Sequence, residues 1–543
     1  MVFARRSTTL LAAIIASCAM VLSLTACTSD NKTVVDGQTT VTSNSAGGVA
    51  VFTPSDGITL NQQMPLNKWA KLVPDLTKAL VDAGFKKGDI DHTTSDSLAK
   101  QSRAIQDFVV DHLSNNTTDD SGIAIAPDSM TLLVAPVVEA DASTRQYGDY
   151  VSQNLSTNDA TDGEATSDGE SSEDDSSKDD SSNTESDSTA SDEQAQAVDR
   201  LVSSLKLAKE SGMHVVLLGN SIEGYKPDAF VKFSDAQTIG KLQAEKMVSK
   251  LKLDKASKDN PKYIEVLLPY TAVDEKGNAN DSTFAQEAFR GIWQVLGSYY
   301  QKGVVESPSG TLDGKSTEND WQAVAYDAAK EGSTAKVLDK RLAKTDGQST
   351  LTRIDGIITM NDYIASEVVK ELDDLGYTGS AADINPQITI SGIVGNITGK
   401  KDLSRDAVPD PIKSPENDNA NDSSSSDDDA DEDTSASDKD RDSQWPLVTG
   451  YGAYVSNIPS IVNGKQWMTG MEDRQTIATD IAQACAKLNK DEALNSMPSI
   501  RNSEVGGVKK IPTISEPLLA VSASNLKSAL IDPGYISLAD AGL

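Results

Sequence analysis

The sequence predicts an α/β fold whose parallel sheets are covered by helices on both faces and divided over two domains. Three observations lead there. Short apolar stretches alternate with longer amphipathic ones along the chain, the pattern of strand–helix–strand units. The 543 residues exceed what one hydrophobic core organises. Two tracts of Ser, Asp and Glu interrupt the alternation without contributing anything to bury.

The elements follow in order. Lys68 to Ala83 carries Trp69, Leu72, Val73, Leu76 and Leu80 at helical spacing and stops at Gly84. Leu98 to Leu113 repeats the pattern, Leu132 to Pro136 reads as a buried strand, and Val198 to Glu210 as a helix stopped by Gly212. Val215 to Leu218 is the next strand. Helix Ala236–Leu251, strand Tyr263–Leu268, helix Phe284–Tyr300, strand Val304–Val305, helix Trp321–Glu331, strand Gly356–Met360 and helix Ile364–Leu375 complete the series. In open sheets of this kind, ligands sit beyond the carboxyl ends of the strands.

The amino terminus points outside the cytoplasm. Arg5 and Arg6 form a short basic region, Leu10 to Leu24 is an apolar run too short for a confident membrane span, and Leu24-Thr25-Ala26-Cys27 looks like a bacterial lipobox. On that reading residues 1–27 are a lipoprotein signal peptide and the Cys27 thiol carries the lipid, two acyl chains making a stable anchor. The alternative is an ordinary signal peptide with an incidental Cys. Cys18, Cys27 and Cys485 are the only cysteines, so no disulfide is expected in the mature chain and a large core must stabilise it. Residues 28–56 are expected to be a flexible spacer, with ordered structure from Gly57.

The formal charge of -33 is unevenly spread. Asn154–Gln194 and Ser414–Ser443 together hold 23 of the excess negatives, and both are expected as disordered acidic insertions. Nucleic acid is a poor partner for such a surface. The first tract follows a strand and is expected near the ligand cleft, where it would screen out anions.

Several motifs in order resemble the type I periplasmic sugar-binding proteins, in particular the xylose-binding-like branch of ABC importers. Gly57-Ile58-Thr59-Leu60 with Lys68-Trp69 is similar to that family's first strand and helix start. Phe233-Ser234-Asp235 leading to Gly240-Lys241-Leu242-Gln243-Ala244, Asn361-Asp362 at a strand end, Pro446 to Gly450, Gly464 to Thr469 with Asp473-Arg474, and Glu516-Pro517 through Tyr535 each resemble a family segment. The resemblance implies two Rossmann-like lobes joined by a multi-crossing hinge: residues 57–224 in the amino lobe, 225–452 in the second, and 453–543 returning to the first. It implies a sugar ligand, a membrane permease with its ATPase as partners, a monomer on the outer face of the cytoplasmic membrane, and no cofactor. The alternative is a lipoprotein of the same fold acting as a sensor or surface interaction module.

Sugar recognition needs flat side chains against the ring and paired polar groups for the hydroxyls. The candidates are Asn361, Asp362, Asn220, Tyr451, Asn280 and Trp69. Asp362 either accepts from hydroxyls or caps the following helix. Tyr451 either meets ligand or packs at the hinge. Asn220 and Asn280 either bond hydroxyls or occupy turns. Trp69 lies on an apolar stripe, where core packing is the better account; Trp293 and Trp321 read as core, and Trp467 as packing. The chain departs from the family pattern twice: Gly219-Asn220 stands where the family has Asp-Arg, and Gly450-Tyr451-Gly452 where it has Gly-Gln-Asp. Enzymatic motifs are missing: His92, His112 and His214 lack metal-site spacing, and there is no nucleophile elbow, Walker loop or dinucleotide fingerprint.

Overall fold

The computed structural model describes residues 34–35, 38–39, 46–55, 65–115, 125–138, 144–150, 153–156, 184–273, 280–343, 351–381 and 445–542. Cys27, the Gly57–Leu60 motif, all of the second acidic tract and most of the first lie outside them. The chain divides into two units, Met1–Ser45 and Ala46–Leu543. In the first, β1 (Val34–Val35) and β2 (Gln38–Thr39) pair antiparallel.

The second unit holds two main sheets with helices on both faces. The larger has seven strands: β3 (Gly48–Pro54), β4 (Ile90–Ser95), β5 (Met130–Val134), β7 (His214–Leu218), β9 (Ala229–Val231), β17 (Ile500–Val505) and β18 (Val508–Ile514). Their order is β17-β18-β9-β7-β5-β3-β4, parallel except for the β17–β18 hairpin. β6 (Asn154–Leu155) and β8 (Ser221–Ile222) form a small parallel pair beside it. α1 (Trp69–Asp82) and the later α10 (Arg474–Leu488) cover one face through Leu72, Leu76, Ile477 and Ile481. α2 (Leu98–Asn115) and α3 (Thr184–Glu210) cover the other through Ile105, Val109, Leu201 and Leu205. Each such side chain stabilises by about 1.5–3 kcal/mol when fully buried.

The smaller sheet, in the order β12-β10-β14-β15, is wholly parallel: β10 (Lys262–Val266), β12 (Val305–Glu306), β14 (Gly356–Ile358) and β15 (Leu447–Val448). β11 (Leu268–Pro269) continues β10 and pairs with β13 (Ala325–Tyr326). α4 (Ala236–Leu251) and α5 (Thr283–Gln301) pack on one face, α7 (Ser333–Arg341) and α8 (Asp362–Asp374) on the other. The chain crosses between the lobes after β9 and again after β15. Near the second crossing lie α9 (Ile458–Val462) and the antiparallel pair β16 (Met468–Met471) and β19 (Leu519–Ser522).

Four expectations need correction. β3 is an inner strand with six of seven residues buried, although it falls within the stretch read as spacer; Ser- and Gly-rich flanks hide a short apolar run. The first crossing comes after Val231, not at 224, because β9 pairs with β7 and β18 in the amino lobe. The first tract is not structureless throughout: Asn154–Leu155 is a strand, and α3 begins at Thr184 rather than Val198. The helix expected over Trp321–Glu331 is one turn, α6 (Trp321–Val324), leading straight into β13.

Candidate functional site

The expected ligand positions sit where the strands of the two lobes end, and most are committed to the protein itself. Asn361 follows β14 and caps α8: its Oδ1 accepts from Ile364 N at 2.9 Å. The cap is therefore Asn361, not Asp362. Asp362 is the first helical residue and has no exposed surface. Its Oδ1 accepts from Gln466 Nε2 at 2.7 Å, and its Oδ2 from Tyr454 N and Thr469 Oγ1, each at 2.9 Å. Burial pushes its pKa up to about 6, and the hydrogen bonds oppose part of that rise. All three donors come from the second crossing, the chain between β15 and α10, so this carboxylate ties the hinge and has no free face for a hydroxyl.

Tyr451 is equally enclosed. Its hydroxyl lies 2.5 Å from Ser234 Oγ and donates to Glu472 Oε1 at 3.4 Å, and the Ser234 amide donates to the same oxygen at 2.6 Å. Ser234 is on the first crossing and Tyr451 and Glu472 on the second, so the cluster bolts the two together. Burial raises Glu472 to about 7 and Tyr451 well above its ordinary value.

Asn220 bridges two loops of the amino lobe, accepting from Gln153 N at 3.0 Å and donating to Pro136 O at 2.9 Å. Trp69 is 2% exposed and meets Tyr150 and Phe233 edge-on, with ring centroids 5.1 and 5.7 Å away. Asn280 staples its own loop, donating to Thr271 O at 2.8 Å while Tyr270 Oη donates to its carbonyl at 3.1 Å. The structure thus brings Asn361, Asp362 and Tyr451 together at the hinge, and leaves Asn220, Asn280 and Trp69 elsewhere, each with a local role.

A cavity of about 330 Å³ opens at the carboxyl ends of β11 and β13, the position where open α/β sheets receive ligands. Tyr270 and Trp321 wall it with rings 5.1 Å apart and nearly perpendicular. Its polar groups are Thr271, Gln322 and Asp327. Asp327 accepts from Thr271 Oγ1 and Ala329 N, each at 3.1 Å, and pairs with Lys330 at 3.3 Å. Partial burial would raise its pKa, but these contacts outweigh that and hold it below the usual carboxylate value. An aromatic wall beside an ionised acceptor is suited to a compact polyhydroxylated ligand. Sequence reasoning read Trp321 as core, and it is 9% exposed and packs in the second lobe's core while also lining the cavity; the helix run through Trp321–Glu331 hid Asp327. The turn between Tyr326 and Gly332 was the available signal. A second hollow, about 270 Å³, lies between α1 and α10 in the amino lobe's helix layer, away from the strand ends. Among the described residues, no group of His, Cys, Asp and Glu is arranged to hold a metal.

No family model matches the sequence, and no curated protein matches it. Solved structures to which the chain is similar include an ABC transporter solute-binding protein from Clostridium phytofermentans with bound β-D-glucose, at 16% identity and TM-score 0.44, covering 91% of this chain and 99% of that one. A carbohydrate transporter solute-binding protein from Chloroflexus aurantiacus in complex with D-glucose is 18% identical, with TM-score 0.43 and coverage of 92% and 98%. A periplasmic ribose ABC transporter protein from Conexibacter woesei is 13% identical, with TM-score 0.42 and coverage of 90% and 96%. Likeness at this level says nothing about the ligand, which has to be argued from the chain's own residues.

Proposed function

We propose that this protein is a non-enzymatic solute-binding protein of an ABC importer. It takes a sugar between its lobes outside the cytoplasm and passes it to a membrane permease driven by an ATPase. The cavity walled by Tyr270 and Trp321, with Asp327 and Thr271 as hydroxyl partners, lies wholly on the second lobe and carries this reading as that lobe's half of the site. Asn361 is the one expected residue that adds to it, because among the described residues its amide Nδ2 donates to Gln146 Oε1 alone, at 3.1 Å, a bond a ligand hydroxyl can replace. The lipobox-like stretch ending at Cys27 supports lipid anchoring to the outer face of the membrane, and no helix among the described residues is long and apolar enough to cross one. Thermal melting against a panel of mono- and disaccharides tests the reading: a sugar at a hundred times its dissociation constant stabilises by about 2.7 kcal/mol. A flat response to every sugar removes it.

A second reading has its own support. Asp362 and Tyr451 are wholly spent inside the hinge, which suits a chain that kept the fold and serves as a sensor or surface interaction module. Sugar-independent capture of a partner domain by the protein, with no sugar response, would favour it.

A further inference from the structure

The segment Thr144–Tyr150 belongs by sequence to the amino lobe, yet its tip is buried in the second. At its base, Asp149 pairs with Lys68 at 2.7 Å and accepts from Trp69 N at 3.1 Å, and Tyr150 stacks on Phe233 at 4.7 Å. At its tip, Tyr147 is 1% exposed and packs among the apolar side chains of the second lobe, 4.7 Å from the Phe284 ring and 6.2 Å from that of Tyr451. Beside it, Gln146 Oε1 accepts from Asn361 Nδ2, and its carbonyl accepts from Tyr454 Oη at 2.7 Å. The turn between tip and base is Gly148, at φ +98°, where a Cβ would come within 2.6 Å of Asn67 O. The chain itself therefore reaches from the amino lobe into the second, where its tip lies against Asn361, Tyr451, Tyr454 and Phe284.

We infer that Thr144–Tyr150 is an intramolecular strap whose Gln146–Tyr147 tip holds the lobes together without ligand and must be displaced before the Asn361 amide is free to bind one. The strap's hold on the lobes concerns the ligand-free chain and goes beyond the solute-binding reading; its displacement by ligand rests on that reading.

Hydrogen exchange of the full chain, free of ligand, tests it on peptides covering Thr359–Ile364 and Pro446–Tyr454, with Met130–Val134 and His214–Leu218 as internal references. Tyr147→Ala is expected to raise exchange at the first two by about tenfold or more while leaving the references unchanged. Gln146→Ala, which removes one half-buried hydrogen-bond acceptor and leaves the aromatic packing, is expected to raise it several-fold at Thr359–Ile364. Equal exchange at those peptides in the unaltered chain and in Gln146→Ala would overturn the inference. So would a uniform rise across the reference strands in both variants, which marks global loosening instead.

Discussion

Gln466 Nε2 donates to Asp362 Oδ1 at 2.7 Å across 104 residues of chain. It joins the start of a second-lobe helix to the segment returning toward the amino lobe. A Cβ on Gly450 would fall 2.1 Å from the same oxygen, so the strand end must be glycine for the carboxylate to sit there. The position that resembled a sugar-binding acid is a buried tie for the hinge.

Asp362→Ala leaves Tyr454 N without its acceptor and takes from Gln466 and Thr469 their shorter bonds, leaving Gln466 Nε2 with the Met468 carbonyl at 3.1 Å and Thr469 Oγ1 with the Gly470 carbonyl at 3.4 Å. At about 1–3 kcal/mol for a buried group left unsatisfied, with two further bonds weakened, a loss of about 3 kcal/mol is expected in urea unfolding. Gly450→Ala should cost a comparable amount by collision, and the double variant less than the sum, since both disturb one contact. Full additivity would show that the two sites are independent.

Asp362 and Glu472 have folded pKa values of about 6 and about 7, above their ordinary 3.8 and 4.5. The folded state binds these protons more tightly, so the stability they contribute is complete below the ordinary values and lost as pH rises through the folded ones. Glu472 faces Ser234, Tyr451 and the nearby charge of Asp235. Unfolding free energy should fall by a few kcal/mol between about pH 4.5 and 7.5, and Glu472→Gln should flatten that slope. Superimposable pH profiles for the two proteins would refute the assignment.

The two tryptophans separate packing from binding. Trp69→Ala is expected to destabilise by about 3–5 kcal/mol, because the buried indole packs edge-on against the stacked rings of Tyr150 and Phe233, and to leave sugar affinity unchanged in the protein that remains folded. Trp321→Ala removes a cavity wall and is expected to abolish the sugar-induced rise in melting temperature. Isothermal titration of both variants against the same sugar gives the comparison.

Asp327→Asn keeps the shape of the cavity and removes the charge that strengthens a hydroxyl donor's bond. Affinity should drop by roughly tenfold, the scale of a hydrogen bond to a charged group. An unchanged dissociation constant would place the ligand elsewhere.

The alternation of strands and helices was legible wherever the apolar spacing was long, and α4 runs over the very residues its periodicity marked, Ala236–Leu251. Reading failed where the local signal was short or misleading. Gly48–Pro54 is a brief apolar run in polar surroundings, and Trp321–Glu331 looks helical but turns into a strand after four residues. The candidate site was the least legible part. Asn361 and Asp362 stand at a strand end as expected, yet a side chain's type does not reveal which donors arrive from a hundred residues away.

Sequence alone determined the class of fold, through periodicity that each segment carries within itself, and it located the two acidic tracts by composition. Only the tertiary structure decided what the polar residues do. Whether a carboxylate meets ligand or ties a hinge depends on which distant groups close around it. Here Gln466, Thr469 and Tyr454 close around Asp362, Gln146 meets Asn361, and Tyr270 and Trp321 are left to wall a cavity.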